Sequence, residues 1–239
     1  MNVLVACEES QRVCTAFREK GHNAFSCDII PCSGGHPEWH IQGDVLEILN
    51  PKEHPQAAGT WHGGYDRYSA LGIMFATCDR KAHWIEKWDL IIAHPPCTYL
   101  SNAGARWLYA GGELNTERYR KGLKAKEFFM NFLNADCERI AVENPVPSSI
   151  YGLPQYSQTV QPYEHGHPNT KKTCLWLKGL DKLKPTNIVE PVRGRKFKQR
   201  NGKYRYSCWE MDQKGGKNRA AERSKTFEGI ASAMAEQWG

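Results

Sequence analysis

The segment Trp88-Asp89-Leu90-Ile91-Ile92-Ala93-His94-Pro95-Pro96-Cys97 constrains this chain more than any other. Four consecutive apolar residues after Trp-Asp read as a strand buried on both faces, the pattern of a parallel sheet. Two prolines then end it, because neither can donate to a ladder. Cys97 is thereby placed at the carboxyl end of a buried strand, the edge where ligands collect in open α/β sheets. A cysteine there is a candidate nucleophile, attacking as its thiolate. The competing reading is a small buried hydrophobe, which is how the other cysteines of the nine are taken.

A second apolar run, Arg139-Ile140-Ala141-Val142, leads into Glu143-Asn144-Pro145, predicting a strand stopped by a proline-bearing turn that carries an acid to the same edge. Upstream, residues 2–7 read as a first strand, residues 12–20 as a helix closed by Gly21, and residues 24–28 as a second strand ending in Asp28. The stretch 115–133, with Leu123, Phe128, Phe129 and Phe132 as its apolar residues, reads as a helix crossing back to the Glu143 strand in a right-handed βαβ unit. Strands alternating with helices predict an α/β fold. Residues 51–84 form an insertion rich in His, Trp, Tyr and Gly, and a closing helix over 221–238 carries Phe227, Ile230, Met234 and Trp238 as a packing stripe.

At 239 residues, with 40% hydrophobic and 24% charged residues, the chain suits one globular domain with a small appendage. Its nine cysteines lack the spacing of a disulfide framework and no signal peptide is visible, so a reducing cytoplasm is expected. No apolar run approaches the roughly 20 residues of a membrane span. Cys27, Cys32, His36 and His40 lack a Cys-x-x-Cys pair, and no metal is expected. Charge is uneven: from Lys178 to Lys225 there are 15 Lys and Arg against 5 Asp and Glu, an excess larger than the whole chain's +6. Within that stretch, residues 193–206 interleave cations with aromatics around Asn201-Gly202, a hairpin signal. Such a ribbon suits phosphate contact and base stacking, with a solvated charged hairpin as the alternative.

Pro-Pro-Cys followed by Glu-Asn-Pro resembles the paired Pro-Cys and Glu-Asn-Val motifs of DNA cytosine-5 methyltransferases. The strings Ala-Cys-Glu-Glu-Ser (6–10), His-Pro-Pro-Cys-Thr-Tyr-Leu-Ser (94–101), Lys-Thr-Cys-Leu-Trp-Leu (172–177) and Gly-Ile-Ala-x-Ala-Met-Ala-x-Gln-Trp (229–238) are similar to short phage- and prophage-encoded members. Ala16-Phe17 with Gly21 match the end of the family's first motif, but its Phe-x-Gly-x-Gly-Gly stands here as Cys7-Glu8-Glu9-Ser10-Gln11-Arg12. That departure leaves side chains where the family presents bare backbone. Tyr151-Gly152-Leu153-Pro154-Gln155 resembles the family's Gly-x-Pro-Gln, with Lys171-Lys172 standing later in place of Arg-x-Arg.

The resemblance implies a Rossmann-like S-adenosylmethionine-dependent methyltransferase sheet with a small basic C-terminal DNA-contacting region. Residues 1–150 would form the catalytic core, 151–222 a short target-recognition region, and 223–239 a helix packing back on the core. It implies catalytic roles for Cys97, Glu143 and Asn144; a donor site of Ala6, Cys7, Glu8, Asp28, Asp44 and Pro95; and DNA contacts by Thr98, Ser101, Arg106, Lys171, Lys172, Arg195, Lys198 and Arg200. Gly43-Asp44 also reads as an ordinary turn. The implied partner is double-stranded DNA with a flipped cytosine, bound by a monomer or dimer in a bacterial or phage-infected cell. Three other readings stand beside it: an amino-methyltransferase, whose (Asp/Asn/Ser)-Pro-Pro-aromatic motif is only half present; a pyrimidine-modifying enzyme with another donor or acceptor; and a non-catalytic DNA-binding protein.

Overall fold

The computed structural model describes residues 1–49, 72–110, 112–198, 202–208 and 223–239. Its centre is a mixed α/β sheet built from β1 (Asn2–Ala6), β2 (Asn23–Asp28), β3 (His40–Gln42), β6 (Leu90–Ala93), β9 (Ile140–Pro145), β10 (Gln158–Val160) and β11 (Thr173–Lys178). The order across it is β3-β2-β1-β6-β9-β11-β10. β11 alone runs against its neighbours; the β1–β2, β2–β3, β1–β6 and β6–β9 pairs are parallel. From β1 the chain builds toward β3 on one side and toward β9 on the other, so the crevice between the carboxyl ends of β1 and β6 is a topological switch point. The predicted Rossmann-like α/β sheet, mostly parallel, is present.

Side chains alternate across the strands and divide the core in two. Val3, Val5, Leu90, Ile92 and Ala141 pack against α1 (Arg12–Glu19) and α5 (Glu228–Trp238), where Phe17, Met234 and Trp238 are fully covered. Leu4, Phe25, Ile91 and Val142 face α2 (Leu46–Leu49) and α4 (Thr116–Leu133) on the other side. A hairpin of β4 (Ile73–Ala76) and β5 (Ala82–Ile85) closes that face with Ile73, Phe75 and Ile85. The described part of the expected insertion is thus core-forming, while residues 51–71 lie outside the described residues.

Helix α4 starts where its cap dictates, the Asn115 side chain accepting from the Arg118 amide at 2.9 Å. Phe129 and Phe132 are buried as expected, but Leu123 is 43% exposed and belongs to no core. The closing helix begins at Glu228, with Phe227 at its N-cap, later than the sequence pattern implies. β9 also departs from expectation: it runs through Glu143 and Asn144 to Pro145. Its parallel neighbour β6 pairs only as far as Val142, so on that side the last residues have no ladder for the proline to break. Beyond the sheet, β12 (Arg193–Lys198) and β13 (Tyr204–Cys208) form the hairpin that the Asn-Gly signal predicts, with Gly202 in the left-handed region at φ 79°.

Candidate active site at the carboxyl edge of the sheet

The ladder between β6 and β9 pairs Ala93 with Val142, so its next step sets His94 beside Glu143. The His94 amide donates to Ala6 O at 2.9 Å and Pro95-Pro96 stiffens the turn beyond it, fixing the imidazole's base. Its Nδ1 lies 3.2 Å from Glu143 Oε2, with the two side chains 10% and 18% exposed. The other ring nitrogen, Nε2, is buried and has no hydrogen-bond partner among the described residues. Burial alone pushes the Glu143 carboxyl up, but the hydrogen bond and charge of His94, with Lys171, outweigh it and hold Glu143 below the usual range.

Cys97 sits half-buried in the turn after β6, its carbonyl accepting from the Ser101 amide at 3.1 Å. Burial, then the charge of Glu143, push its thiol up, with Lys171 and Arg223 opposing. The resting group is therefore a thiol. Lys171 is brought here by β11, whose ladder pairs Leu175 with Glu143, Cys174 with Asn144 and Thr173 with Pro145. Its Nζ donates to Arg223 O at 2.8 Å and lies 5.7 Å from the Phe227 ring centre. His94, Glu143, Lys171, Thr173, Thr226, Phe227 and Ile230 line a cavity of about 20 Å³. Asn144 points to the opposite face from Glu143: its side-chain N–H donates to Pro145 O at 2.7 Å and its buried Oδ1 has no hydrogen-bond partner among the described residues. Its position serves the strand, away from the Cys97 side.

The turn from β1 into α1 contains no glycine. Cys7 and Gln11 take the left-handed backbone at φ 58° and 57°. Gln11, fully buried, clasps the following loop, donating to His36 O at 2.8 Å and accepting from the His36 amide at 3.0 Å. Glu8 is a correction to the expected donor site: only 4% exposed, its carboxylate accepts from the Val13 and Cys14 amides at 2.7 and 3.1 Å. It is the anion at the positive end of α1 and has no free edge for a ligand. Burial nevertheless pushes its carboxyl up, opposed by His94 and the two amides. Ala6 is fully covered within β1 and Pro95 is buried; neither side chain lines an open space.

Cys7, Asp28 and Asp44 do converge. Burial first, then the charges of Asp28 and Asp44, push the Cys7 thiol up, and burial also raises the half-covered Asp28 carboxyl. Asp44 is exposed and its Oδ1 accepts from the Leu46 amide at 3.0 Å, so it also serves the turn into α2. The carboxyl ends of β1, β2 and β3 thus carry an acid-lined edge.

Around the Cys97 loop, Ser101 is 6% exposed and caps α3 (Asn102–Ala105), accepting from the Gly104 amide at 3.2 Å. That removes it from the expected surface contacts. Thr98 is exposed, and Arg106 is exposed with its guanidinium 4.8 Å from the centre of Trp107. Beyond them the short pair β7 (Tyr109–Ala110) and β8 (Glu113–Leu114) leads to α4. Lys172 is exposed beside β11, away from the cavity. Lys198 is exposed on the β12–β13 hairpin; the Arg195 side chain and Arg200 lie outside the described residues. The site residues that the motifs did not announce are His94, Thr173 and Phe227. The first could have been found by carrying the register of two parallel strands one step past their apolar runs.

No family model and no curated protein matches this chain. Among solved structures, a similar chain is a proposed DNA modification methyltransferase encoded within a prophage of E. coli, at 14% identity and a TM-score of 0.43. The match covers 80% of this chain and 52% of the other, so the chain spans about half the length of that protein. Among the described residues, no helix is long and apolar enough to cross a membrane, and no cluster of three or more His, Cys, Asp or Glu is placed to hold a metal ion.

Proposed function

We propose that this chain is a DNA methyltransferase acting on carbon 5 of cytosine, with Cys97 as nucleophile and Glu143 as the group that meets the ring nitrogen. The observation that carries the reading is that Cys97, in the turn after β6, and Glu143, in the adjacent parallel strand β9, stand at one sheet edge, close enough for the Glu143 charge to raise the Cys97 thiol. Carbon 5 of cytosine is a poor nucleophile. Addition of the Cys97 sulfur to carbon 6 opens the 5,6 double bond and makes carbon 5 enamine-like, the proton that the thiol loses passing by way of Glu143 to the ring nitrogen where charge develops; once carbon 5 has taken the methyl group, loss of its own proton expels the Cys97 sulfur. Lys171 adds positive charge beside both groups. A stacked base offers neither face, so the nucleotide must be flipped out at a cost of a few kcal/mol.

The acid-lined edge of Cys7, Asp28 and Asp44 fits S-adenosylmethionine, a sulfonium cation with ribose hydroxyls, better than a phosphate-bearing cofactor. Asp28 and Asp44 would hold it, and when bound it supplies the electrophilic methyl group. Glu8 already fills the helix terminus where phosphates settle in related sheets. Cations of β12 and β13, with Lys171 and Arg106, would meet the DNA backbone. In this reading β10 and β11 belong to the catalytic sheet, against the expected boundary at residue 150, the stretch of 151–222 beyond β11 serves target recognition, and 223–239 anchor on the core.

The test is covalent capture on duplex DNA containing 5-fluorocytosine, with S-adenosylmethionine present. The wild type should form a denaturation-resistant adduct; Cys97→Ser should not, while still binding DNA. Glu143→Gln should slow methyl transfer to unmodified DNA by a factor on the order of 10² to 10⁴. Methyl transfer without an adduct would point to an exocyclic amine as acceptor, and adduct formation by Cys97→Ser would remove Cys97 from the chemistry.

A further inference from the structure

We propose that His94 is a positioning residue: it clamps Glu143 Oε2 so that Oε1 is the oxygen left for the substrate. The inference rests on the reading of the site as a cytosine methyltransferase, and adds a residue that neither the Pro-Cys nor the Glu-Asn motif contains. A glutamate has three side-chain torsions, and contact with one ring nitrogen requires that they be held, since small misplacements at a reacting centre cost large factors in rate. Among the described residues, His94 is the side chain that hydrogen-bonds Glu143.

The clamp is itself held. The His94 backbone is tied to β1 through Ala6 O and followed by two prolines, and the imidazole is nine-tenths buried. Glu143, kept ionised by its surroundings, accepts, so the proton of this bond sits on Nδ1. Nε2 is then the other end of the ring, buried and unpartnered among the described residues, beside the cavity that Lys171, Thr173 and Phe227 line. At about 20 Å³ the cavity has room for one water, which the hydroxyl of Thr173 and the Lys171 ammonium would share with Nε2. The charged and titratable groups facing this imidazole are Glu8 from the β1–α1 turn, Glu143 from β9 and Lys171 from the approach to β11.

Three variants separate positioning from packing. In His94→Asn the side-chain amide nitrogen stands where Nδ1 stands and can still donate to Glu143; in His94→Ala nothing donates; in His94→Gln the amide reaches the Nε2 position instead. Methyl transfer from labelled S-adenosylmethionine to unmethylated genomic DNA should lose about 10- to 100-fold in kcat for Ala and Gln, with KM for DNA moved less than about twofold. The Asn variant should return to within about threefold of wild type. Thermal melts of all four proteins identify any variant that fails to fold, and ¹⁵N spectra of histidine-labelled wild type provide a readout independent of turnover. A proton on Nδ1 of His94 supports the clamp and a proton on Nε2 alone overturns it. An Ala variant as fast as wild type, or an Asn variant as slow as Ala with an intact melt, overturns the positioning role and leaves the methyltransferase reading standing. A folded wild type that neither captures 5-fluorocytosine DNA nor transfers methyl overturns both.

Discussion

Cys97 is stored as a thiol, and the group that raises it after burial is the same carboxylate that the proposed reaction pairs with it. Removing that charge should therefore free the sulfur. In Glu143→Gln, alkylation of Cys97 by iodoacetamide near pH 8, followed on its own peptide by mass spectrometry, should accelerate about two- to tenfold, because each unit of thiol pKa is a tenfold change in thiolate fraction. In the wild type the rate should keep rising with pH beyond the range where a free cysteine has levelled off. An unchanged rate in the variant would mean that Glu143 does not set the state of Cys97. At this scale the sequence was legible where a residue's place follows from the end of an apolar run, as for Cys97 and Glu143. It was silent on His94, whose role arises from register between strands far apart in the chain. Glu8 was misread for a physical reason: an acid in a loop at a ligand edge looks like a ligand contact until its carboxylate is seen on the amides of Val13 and Cys14.

Helix α1 shows what an internal anion does for an element. Its N-cap, Gln11, makes no side-chain hydrogen bond to the helix, and among the described residues it is Glu8 that answers the Val13 and Cys14 amides. Glu8→Ala should leave two buried donors unanswered and lower stability by about 1 to 3 kcal/mol, read by urea melts; Glu8→Gln, which retains an acceptor, should lose less. Equal stability of wild type and Glu8→Ala would mean that water reaches those amides. Elements announced by caps and periodicity were legible, among them β1, α1, β2 and α4. The length of β9 was not, because a proline stops a strand only where a neighbour needs its N–H, and β6 had already ended. Nor was the antiparallel course of β11, since Thr173–Lys178 is a buried apolar stretch whose direction no local pattern encodes.

For the whole molecule, the basic stretch that sequence composition singled out is partly a hairpin that stands as its own two-stranded sheet, with Lys196 Nζ 4.5 Å from the Tyr204 ring centre. If it meets phosphates, replacing Lys196, Lys198 and Lys203 with alanine should flatten the slope of log affinity for duplex DNA against log salt by about 2 to 3 units, at about 0.9 per phosphate. Measurements between low and moderate salt decide it, and an unaltered slope would send the DNA elsewhere on the surface. The reversed strand β11 bears on how such a protein diversifies. Six rungs from Pro145–Thr173 to Ile140–Lys178 tie β9 to β11, so Glu143 and Thr173 keep their spacing whatever the turns between the two strands carry. Lengthening a loop whose ends are already held costs only about 0.6 kcal/mol per doubling. The turns on either side of β10 are accordingly a port through which surface modules can be added or removed without retuning the proposed chemistry beneath.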